Sequence, residues 1–240
     1  MIENSLSKMA WILGLCLIVS AAIGAGVFYK VKGMDRSLTV TGSAKKQVTA
    51  DIAKWSSSFS RSVAEADLKS GYNMMANDLK AVKKFFTDRG IKESDLVISP
   101  VYLDQQYRDP NNQGPQMYNL RQTVELQLND VKKVTDLAKD TQILIERGVI
   151  FSPGAPEYYY SKLPETRVEL LANAVNDARD RADKIASAGG RKVGSLKEAS
   201  VGVTQVTSVN SIDITDYGTY DTSKPDKDVM ITVKTTFSLE

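Results

Sequence analysis

Polar and apolar residues separate most sharply at the start of the chain, where residues 9–29 carry no charged side chain. Lys8 and Lys30 bound this apolar run. As a helix with a rise of about 1.5 Å per residue, the run would span about 30 Å, the thickness of the hydrocarbon core of a bilayer. The pattern therefore predicts a transmembrane signal-anchor helix at 9–29, between a short tail at 1–8 and a juxtamembrane linker at 30–36.

Two interpretations of this segment are open, a cleaved secretory signal or an anchor that stays in the membrane. A cleaved signal combines a short apolar stretch with small residues at the cleavage site, and residues 20–26 supply small residues. The apolar run nevertheless continues through Val27, Phe28 and Tyr29, so it is as long as a membrane span. We therefore predict an uncleaved anchor that contacts the lipid bilayer through residues 9–29.

Small residues recur at four-residue steps in the second half of the run. The pairs are Ser20 with Gly24, Ala21 with Ala25 and Ala22 with Gly26. This spacing lets two helix backbones approach closely in lipid, but small residues also accumulate at cleavage sites and helix ends. The pairs are thus candidates for membrane helix packing.

Beyond the linker, stretches with a period of two alternate with stretches with a period of 3.6. Alternation of polar and β-branched or aromatic residues predicts strands at 37–43, 52–63, 96–106, 118–128, 149–160, 193–209 and 228–239. Apolar residues at three- and four-residue steps predict helices at 64–90, 131–147 and 165–188. The apolar stripe of the last helix includes Val168, Val175, Ala178, Ala182 and Ile185. The order ββαββαβαββ predicts one α+β domain at 37–240, with helices packed on one face of antiparallel sheet.

Charge and composition exclude several classes of function. Of the 31 basic and 29 acidic residues, four basic and two acidic ones lie in 1–36, so residues 37–240 carry no net charge. A balanced body argues against nucleic-acid binding, which needs a basic surface. The chain has no histidine, and its single cysteine, Cys16, lies inside the apolar run. Zinc, haem and Cys–His catalysis are therefore improbable, and we predict neither a catalytic residue, nor a cofactor, nor a metal.

Several short motifs follow one another through the body in a set order. They are 40–44 (VTGSA) with Asp51, 90–96 (GIKESDL), the tyrosines Tyr102, Tyr107 and Tyr118, 171–178 (LANAVNDA) with Arg181-Ala182, and 189–194 (GGRKVG). No single motif is specific, but the ordered set resembles the SIMPL-domain family of bacterial secreted or membrane-anchored proteins. That family includes relatives associated with oxidative stress.

The resemblance implies an α+β fold, an extracytoplasmic location and assembly into homo-oligomers. It implies no established catalytic residue. The positive-inside rule applied to Lys30, Lys32 and Arg36 would instead place the body in the cytoplasm, whereas the short tail of a signal-anchor usually stays inside. With the resemblance, we expect a single-pass protein of the inner (cytoplasmic) membrane with its C-terminal domain on the periplasmic side.

The best candidate contact surface is a set of tyrosines. Three are consecutive in a predicted strand and two lie in a late polar stretch: Tyr158, Tyr159, Tyr160, Tyr217 and Tyr220. Consecutive residues of a strand point to both faces, so we expect at least one ring to be exposed. Core packing with one exposed ring is the alternative to a contact surface made of all five. Five aspartates at 213–228 lack the spacing of a calcium loop.

Three hypotheses of function follow. The first is a non-enzymatic, membrane-anchored protein of the bacterial cell envelope that binds copies of itself. The alternative is an envelope ligand-binding module that takes peptidoglycan, lipid or protein on its exposed tyrosines. A hydrolase with paired carboxylates is the least favoured, because no spacing singles out a pair.

Overall fold

The computed structural model describes residues 2–34, 36–108 and 114–240. It begins with helix α1 (Ile2–Met34), which extends past the predicted span through most of the predicted juxtamembrane linker. The part Trp11–Lys30 is long and apolar enough to cross a membrane, and its side chains are exposed throughout. Length and composition alone thus mark it as a candidate span.

The described body contains ten strands and four further α-helices. The strands are β1 (Ser37–Thr49), β2 (Ile52–Ala64), β3 (Leu96–Ile98), β4 (Tyr102–Gln105), β5 (Met117–Leu128), β6 (Phe151–Pro153), β7 (Glu157–Tyr159), β8 (Val193–Val201), β9 (Gln205–Ser208) and β10 (Asp226–Leu239). The helices are α2 (Leu68–Thr87), α3 (Val131–Lys139), α4 (Gln142–Glu146) and α5 (Leu163–Ala188).

The strands form two sheets. One has the order β1-β10-β8, with β9 also paired to β10, and the other has the order β3-β5-β2-β6, with β4 on β5 and β7 on β2. The predicted α+β class with antiparallel sheet is confirmed. Three predicted strands are each divided in two, at Pro100, at Gly154 and at Gly202. Proline cannot donate to a ladder. The N–H groups of Gly154 and Gly202 still donate to the carbonyls of Ser56 and Thr232, at 3.1 and 2.9 Å, and the pairing ends just after them.

The contacts divide the described chain into two compact units. Unit 1 comprises residues 1–45, 167–204 and 230–240, and unit 2 comprises residues 46–166 and 205–229. The core of unit 2 lies between α2, α3 and the inner face of β2 and β5, and its largest fully buried side chains include Trp55, Phe59, Phe85 and Phe86. Trp55 meets Phe86 edge to face, with ring centroids 5.7 Å apart.

An ion pair between β2 and α2 lies beside this core. Both Oδ atoms of the buried Asp78 accept hydrogen bonds of 2.7 Å from the Arg61 guanidinium, which also donates to the Gly148 carbonyl at 2.6 Å. The bond to Asp78 raises the pKa of Arg61 above its ordinary value. The pair therefore fixes the helix to the sheet by charge-assisted, two-point hydrogen bonding.

Unit 1 is built on close contact between α5 and β1. From position 167 onwards, the buried residues of the helix recur every four positions: Leu170, Ala174, Ala178, Ala182 and Ala186. Opposite them, Gly42 lies so close that an added Cβ would be 2.1 Å from the Ala174 carbonyl oxygen. The stripe predicted for this helix is wrong at Val168 and Ile185, which are exposed, because the short distance to the strand admits only small side chains.

Candidate contact surfaces

The consecutive tyrosines of unit 2 have different surroundings. Tyr158, on β7, is buried, and its hydroxyl lies 2.9 Å from that of Thr135. Tyr159 and Tyr160 are half-buried, and the Tyr160 hydroxyl lies 3.3 Å from the Thr166 hydroxyl. As a correction to the predicted contact surface, Tyr158 belongs to the core, because an inward-facing strand position is covered.

Tyr159 and Tyr220 form a stacked pair with ring centroids 6.0 Å apart. The Tyr159 hydroxyl donates to Glu157 Oε2 at 2.7 Å, and the Tyr160 N–H donates to the Tyr220 hydroxyl at 2.9 Å. This hydrogen bond to Glu157, with burial, raises the pKa of Tyr159 to about 12. The structure thus brings together two of the predicted surface tyrosines.

Titration of Tyr159 should show this contact. The difference in tyrosinate absorbance between the wild type and Tyr159→Phe should show one ionisation near pH 12, and Glu157→Gln should move it towards 10.0, the ordinary tyrosine pKa. Because the folded pKa is raised, the contact stabilises the fold fully below pH 10.0 and is lost as the pH rises through about 12. Glu165→Gln serves as a control that leaves the transition in place. An unshifted transition in the wild type would contradict the Tyr159–Glu157 contact.

Lys227 binds the backbone of the segment that follows Tyr220. Its side chain is fully buried, and its ammonium group donates to the carbonyls of Asp221 and Lys224. Burial lowers the pKa of Lys227, whereas hydrogen bonds led by that from the Ser208 hydroxyl lower the pKa of Asp221. The base of the neighbouring loop is therefore tied to β9 and β10 by charged groups.

The loop at 210–220, here named the late loop, exposes large apolar side chains. Ile212 is 92% exposed, Tyr217 is 97% exposed, and Ile214 is also exposed. The backbone beneath them is held, since Gln205 Nε2 donates to the Thr215 carbonyl at 2.6 Å and the Thr215 hydroxyl donates to the Gly218 carbonyl at 3.0 Å. Tyr217 was predicted as a contact residue. The two isoleucines were missed, although their alternation with aspartate in a polar stretch was a signal.

The aspartates of the late segment act as local hydrogen-bond acceptors. Asp213 accepts from Ser211 at 3.2 Å, Asp226 accepts from the Thr49 hydroxyl at 2.9 Å, and Asp228 accepts from the Asn210 N–H at 3.3 Å. Within the described residues, no three acidic or cysteine side chains are grouped as a metal site requires. These carboxylates thus stabilise the local conformation of the late segment through hydrogen bonds.

A cleft of about 420 Å³ lies where α3 meets the end of α2. Its charged groups are engaged with one another or with the backbone. Arg89 pairs with Asp140, and Lys133 donates to the Gly90 carbonyl at 3.1 Å. Asp130 caps α3 by accepting from the Lys133 N–H at 2.9 Å. These contacts join α3 to the segment after α2. The cleft therefore follows from the packing of the helices.

Unit 1 has an open surface along β8. In the register with β10, Val201 lies opposite Val233 and Leu196 opposite Phe237. The β10 residues are buried, but Val201 is 57% exposed and Leu196 is 45% exposed. Directly opposite residues of a sheet share a face, so the apolar face that α5 covers on β10 is open on β8.

The small residues of α1 have no packing partner from another element of the described chain, although the Ser20 hydroxyl donates to the Leu17 carbonyl within the helix. All six, Ser20, Ala21, Ala22, Gly24, Ala25 and Gly26, are exposed. A Cβ added to Gly24 or Gly26 would meet nothing within 4 Å. Packing of these residues against a second membrane helix stays a prediction.

Comparison with known proteins decides the family. Residues 38–237 match the sequence model of SIMPL, described as a protein of unknown function (DUF541). The chain belongs to the SIMPL family. The match covers both units of the body and confirms the resemblance drawn from the ordered motifs. SIMPL membership itself supplies no activity.

Other comparisons add little to the SIMPL assignment. No curated protein is significantly similar to the chain. Among solved structures, one similar structure is the crystal structure of an amidase of the hydantoinase/carbamoylase family from Burkholderia phymatum. The alignment covers 48% of this chain and 32% of the amidase chain, at 10% sequence identity and a TM-score of 0.29. The chain thus spans about a third of the amidase, and a likeness this weak carries no argument about chemistry.

Proposed function

We propose that this SIMPL protein is a non-enzymatic, single-pass protein of the bacterial inner membrane that assembles with copies of itself. Its body stands on the periplasmic side, and its role is linked to envelope or oxidative stress. The observation that carries the proposal is the exposure of large apolar side chains in three places: along α1, in the late loop and on β8.

Helix α1 supports the anchor. Its apolar side chains between Trp11 and Lys30 are exposed in the described chain, and exposed apolar surface costs roughly 25 cal/mol per Å² in water. A bilayer removes this cost, and Lys30 lies at the end of the span, where a lysine can extend its ammonium group to the interface. The small residues at 20–26 would add packing between the anchors of neighbouring copies.

The body supports assembly. Monomeric soluble proteins rarely expose contiguous apolar patches, and large ones mark interaction sites. Ile212 and Tyr217 project from the late loop of unit 2, and Leu196 and Val201 lie open on β8 of unit 1. Copies held in one membrane meet at high local concentration, so modest contacts suffice for a stable assembly.

The absence of an enzymatic role rests on the sequence. A chain without histidine lacks the commonest general base near neutral pH. The one cysteine, Cys16, lies within the span. These features support a structural or binding role. The oligomeric state of the full-length protein tests the proposal.

Light scattering of the full-length protein in detergent, after size exclusion, tests assembly. We expect a protein mass that is a fixed multiple of 26.4 kDa at micromolar concentration. Tyr217→Ser should lower the assembled fraction, because it removes an exposed apolar ring. Tyr107→Ser, at an equally exposed tyrosine outside the late loop, is the matched control. A wild-type protein that elutes as a single monomer would refute the proposal.

One observation favours the alternative, an envelope ligand-binding module. The late loop offers a fully exposed ring at Tyr217, near in sequence to the stacked Tyr220, and aromatic faces are suited to sugars and lipid headgroups. Capture of the wild-type protein on purified peptidoglycan or on lipid vesicles, lost in Tyr217→Ala, would support this function. Equal capture of both proteins would remove the late loop as the ligand site.

A further inference from the structure

The open surface of unit 1 is the step between α5 and the uncovered face of β8, on the side of the sheet that α5 covers. Its floor is the uncovered face of β8, with Leu196, Ala199 and Val201. Its wall is the flank of α5 that carries the half-buried Leu171 and Val175. We name this surface the α5–β8 groove.

Contacts on the opposite flank of the helix fix which side faces β8. The Asp177 carboxylate accepts from the Ser43 N–H at 2.8 Å, and Arg181 donates to the Thr41 carbonyl at 3.3 Å. Ser43 and Thr41 belong to β1, which lies at the other edge of the sheet from β8. Helix residues half a turn away from Asp177 and Arg181 therefore face the β8 side.

The rim of the groove is mainly basic. Four-residue spacing places Arg167 and Arg179 on the same row as Leu171 and Val175. The Arg179 guanidinium lies 5.9 Å from the centroid of the Phe237 ring on β10, which confirms the direction of this row. Asp183 follows on the row and is its one acidic member at 167–183.

The late loop has the complementary character. Its exposed apolar residues, Ile212, Ile214 and Tyr217, alternate with the acidic residues Asp213 and Asp216. The loop contains no basic residue between 210 and 220. It is thus an apolar projection with an acidic border, and the groove is an apolar depression with a mainly basic rim.

From this complementarity we infer that the late loop of one copy docks in the α5–β8 groove of the next copy. The inference rests on the proposed self-assembly and names its contact. We take each copy to give its late loop to one neighbour and its groove to another, so the contact is heterologous and builds a ring or an open row; a reciprocal exchange between two copies would give a two-fold dimer. Opposite charges at the rim fix the register, and the apolar side chains supply the buried area.

Disulfide crosslinking of the full-length protein tests the contact. In a Cys16→Ser background, the double variant Tyr217→Cys with Val201→Cys should give a ladder of dimers, trimers and larger species on mild oxidation. Each single variant should stay largely uncrosslinked. In the proposed contact, residue 217 of one copy lies against residue 201 of the next copy and not against that copy's residue 217. The pair Tyr107→Cys with Val201→Cys is the matched control and should give no ladder.

Charge reversal provides a second measurement that does not depend on cysteine geometry. Asp213→Lys with Asp216→Lys, or Arg167→Glu with Arg179→Glu, should each weaken assembly about tenfold, because like charges then meet at the rim. The protein with all four reversals should recover assembly.

The two proposals fail in different ways. The docking contact is wrong, and self-assembly stands, if the wild type assembles but residue 217 does not crosslink to residue 201. The same conclusion follows if the protein with all four charge reversals does not recover assembly. Crosslinks in the single variants as strong as in the double variant would likewise overturn the docking contact, and a double variant that stops at dimers would overturn the heterologous arrangement in favour of a reciprocal two-fold contact. If the wild type is monomeric, both proposals fall.

Discussion

Gly42→Ala is expected to destabilise unit 1 more than any other single methyl group added to the body. The new Cβ would lie 2.1 Å from the Ala174 carbonyl oxygen and 2.7 Å from the Ala178 Cβ, and both belong to helix α5. A backbone oxygen cannot turn aside as a side chain can, so the helix must move away from β1. We expect a loss of about 3 kcal/mol in the free energy of unfolding, the upper end for overpacking.

Urea denaturation followed by far-ultraviolet circular dichroism measures this loss. Gly189→Ala is the matched control, since its Cβ would meet its nearest neighbour at an ordinary 3.4 Å and its φ is not in the left-handed region. The control should change the free energy of unfolding by less than about 1 kcal/mol. Equal midpoints for Gly42→Ala and the wild type would show that α5 does not lie against β1 at this distance.

Asp78→Ala is expected to destabilise unit 2 by about 3 kcal/mol, because it leaves the Arg61 guanidinium without its carboxylate partner. Asp78 is buried and Arg61 is about three-quarters buried, so water only partly replaces the lost acceptor. The fluorescence of Trp55, which is fully buried in the same core, reports the unfolding. The double variant Arg61→Met with Asp78→Leu should be more stable than Asp78→Ala, since it removes both charges together.

Lys54→Met provides the control for this pair. Lys54 and Glu125 lie 3.2 Å apart on the outer face of β2 and β5, where each side chain is 38% exposed. Exposed pairs contribute roughly 0–1 kcal/mol, so the midpoint should hardly move. If Asp78→Ala moved it no further than Lys54→Met does, the Arg61–Asp78 pair would not fasten α2 to the sheet.

The sequence predicts elements well where one periodicity dominates. The strands at 52–63 and 118–128 and the helix at 165–188 lie within two residues of the observed elements. Prolines and glycines mark where longer predicted strands divide, although their effect appears only once pairing partners are known. Register, and therefore the two-sheet arrangement, depends on long-range pairing that no local pattern contains.

Helix α5 shows why the core could be predicted only in part. Hydrophobic periodicity predicts that Val168 and Ile185 are buried. Instead the alanines of the helix are buried, because it packs closely on Gly42. The late loop shows the same limit at the surface, since hydrophobicity alone places Ile212 inside. The Arg61–Asp78 pair has no sequence signal, because its members lie on different elements that only the fold brings together.

Electron-microscopy images of the purified full-length protein in detergent test the central claim most directly. The account predicts uniform particles in which several bodies share one detergent micelle. Single bodies without a micelle would contradict both the retained anchor and the assembly.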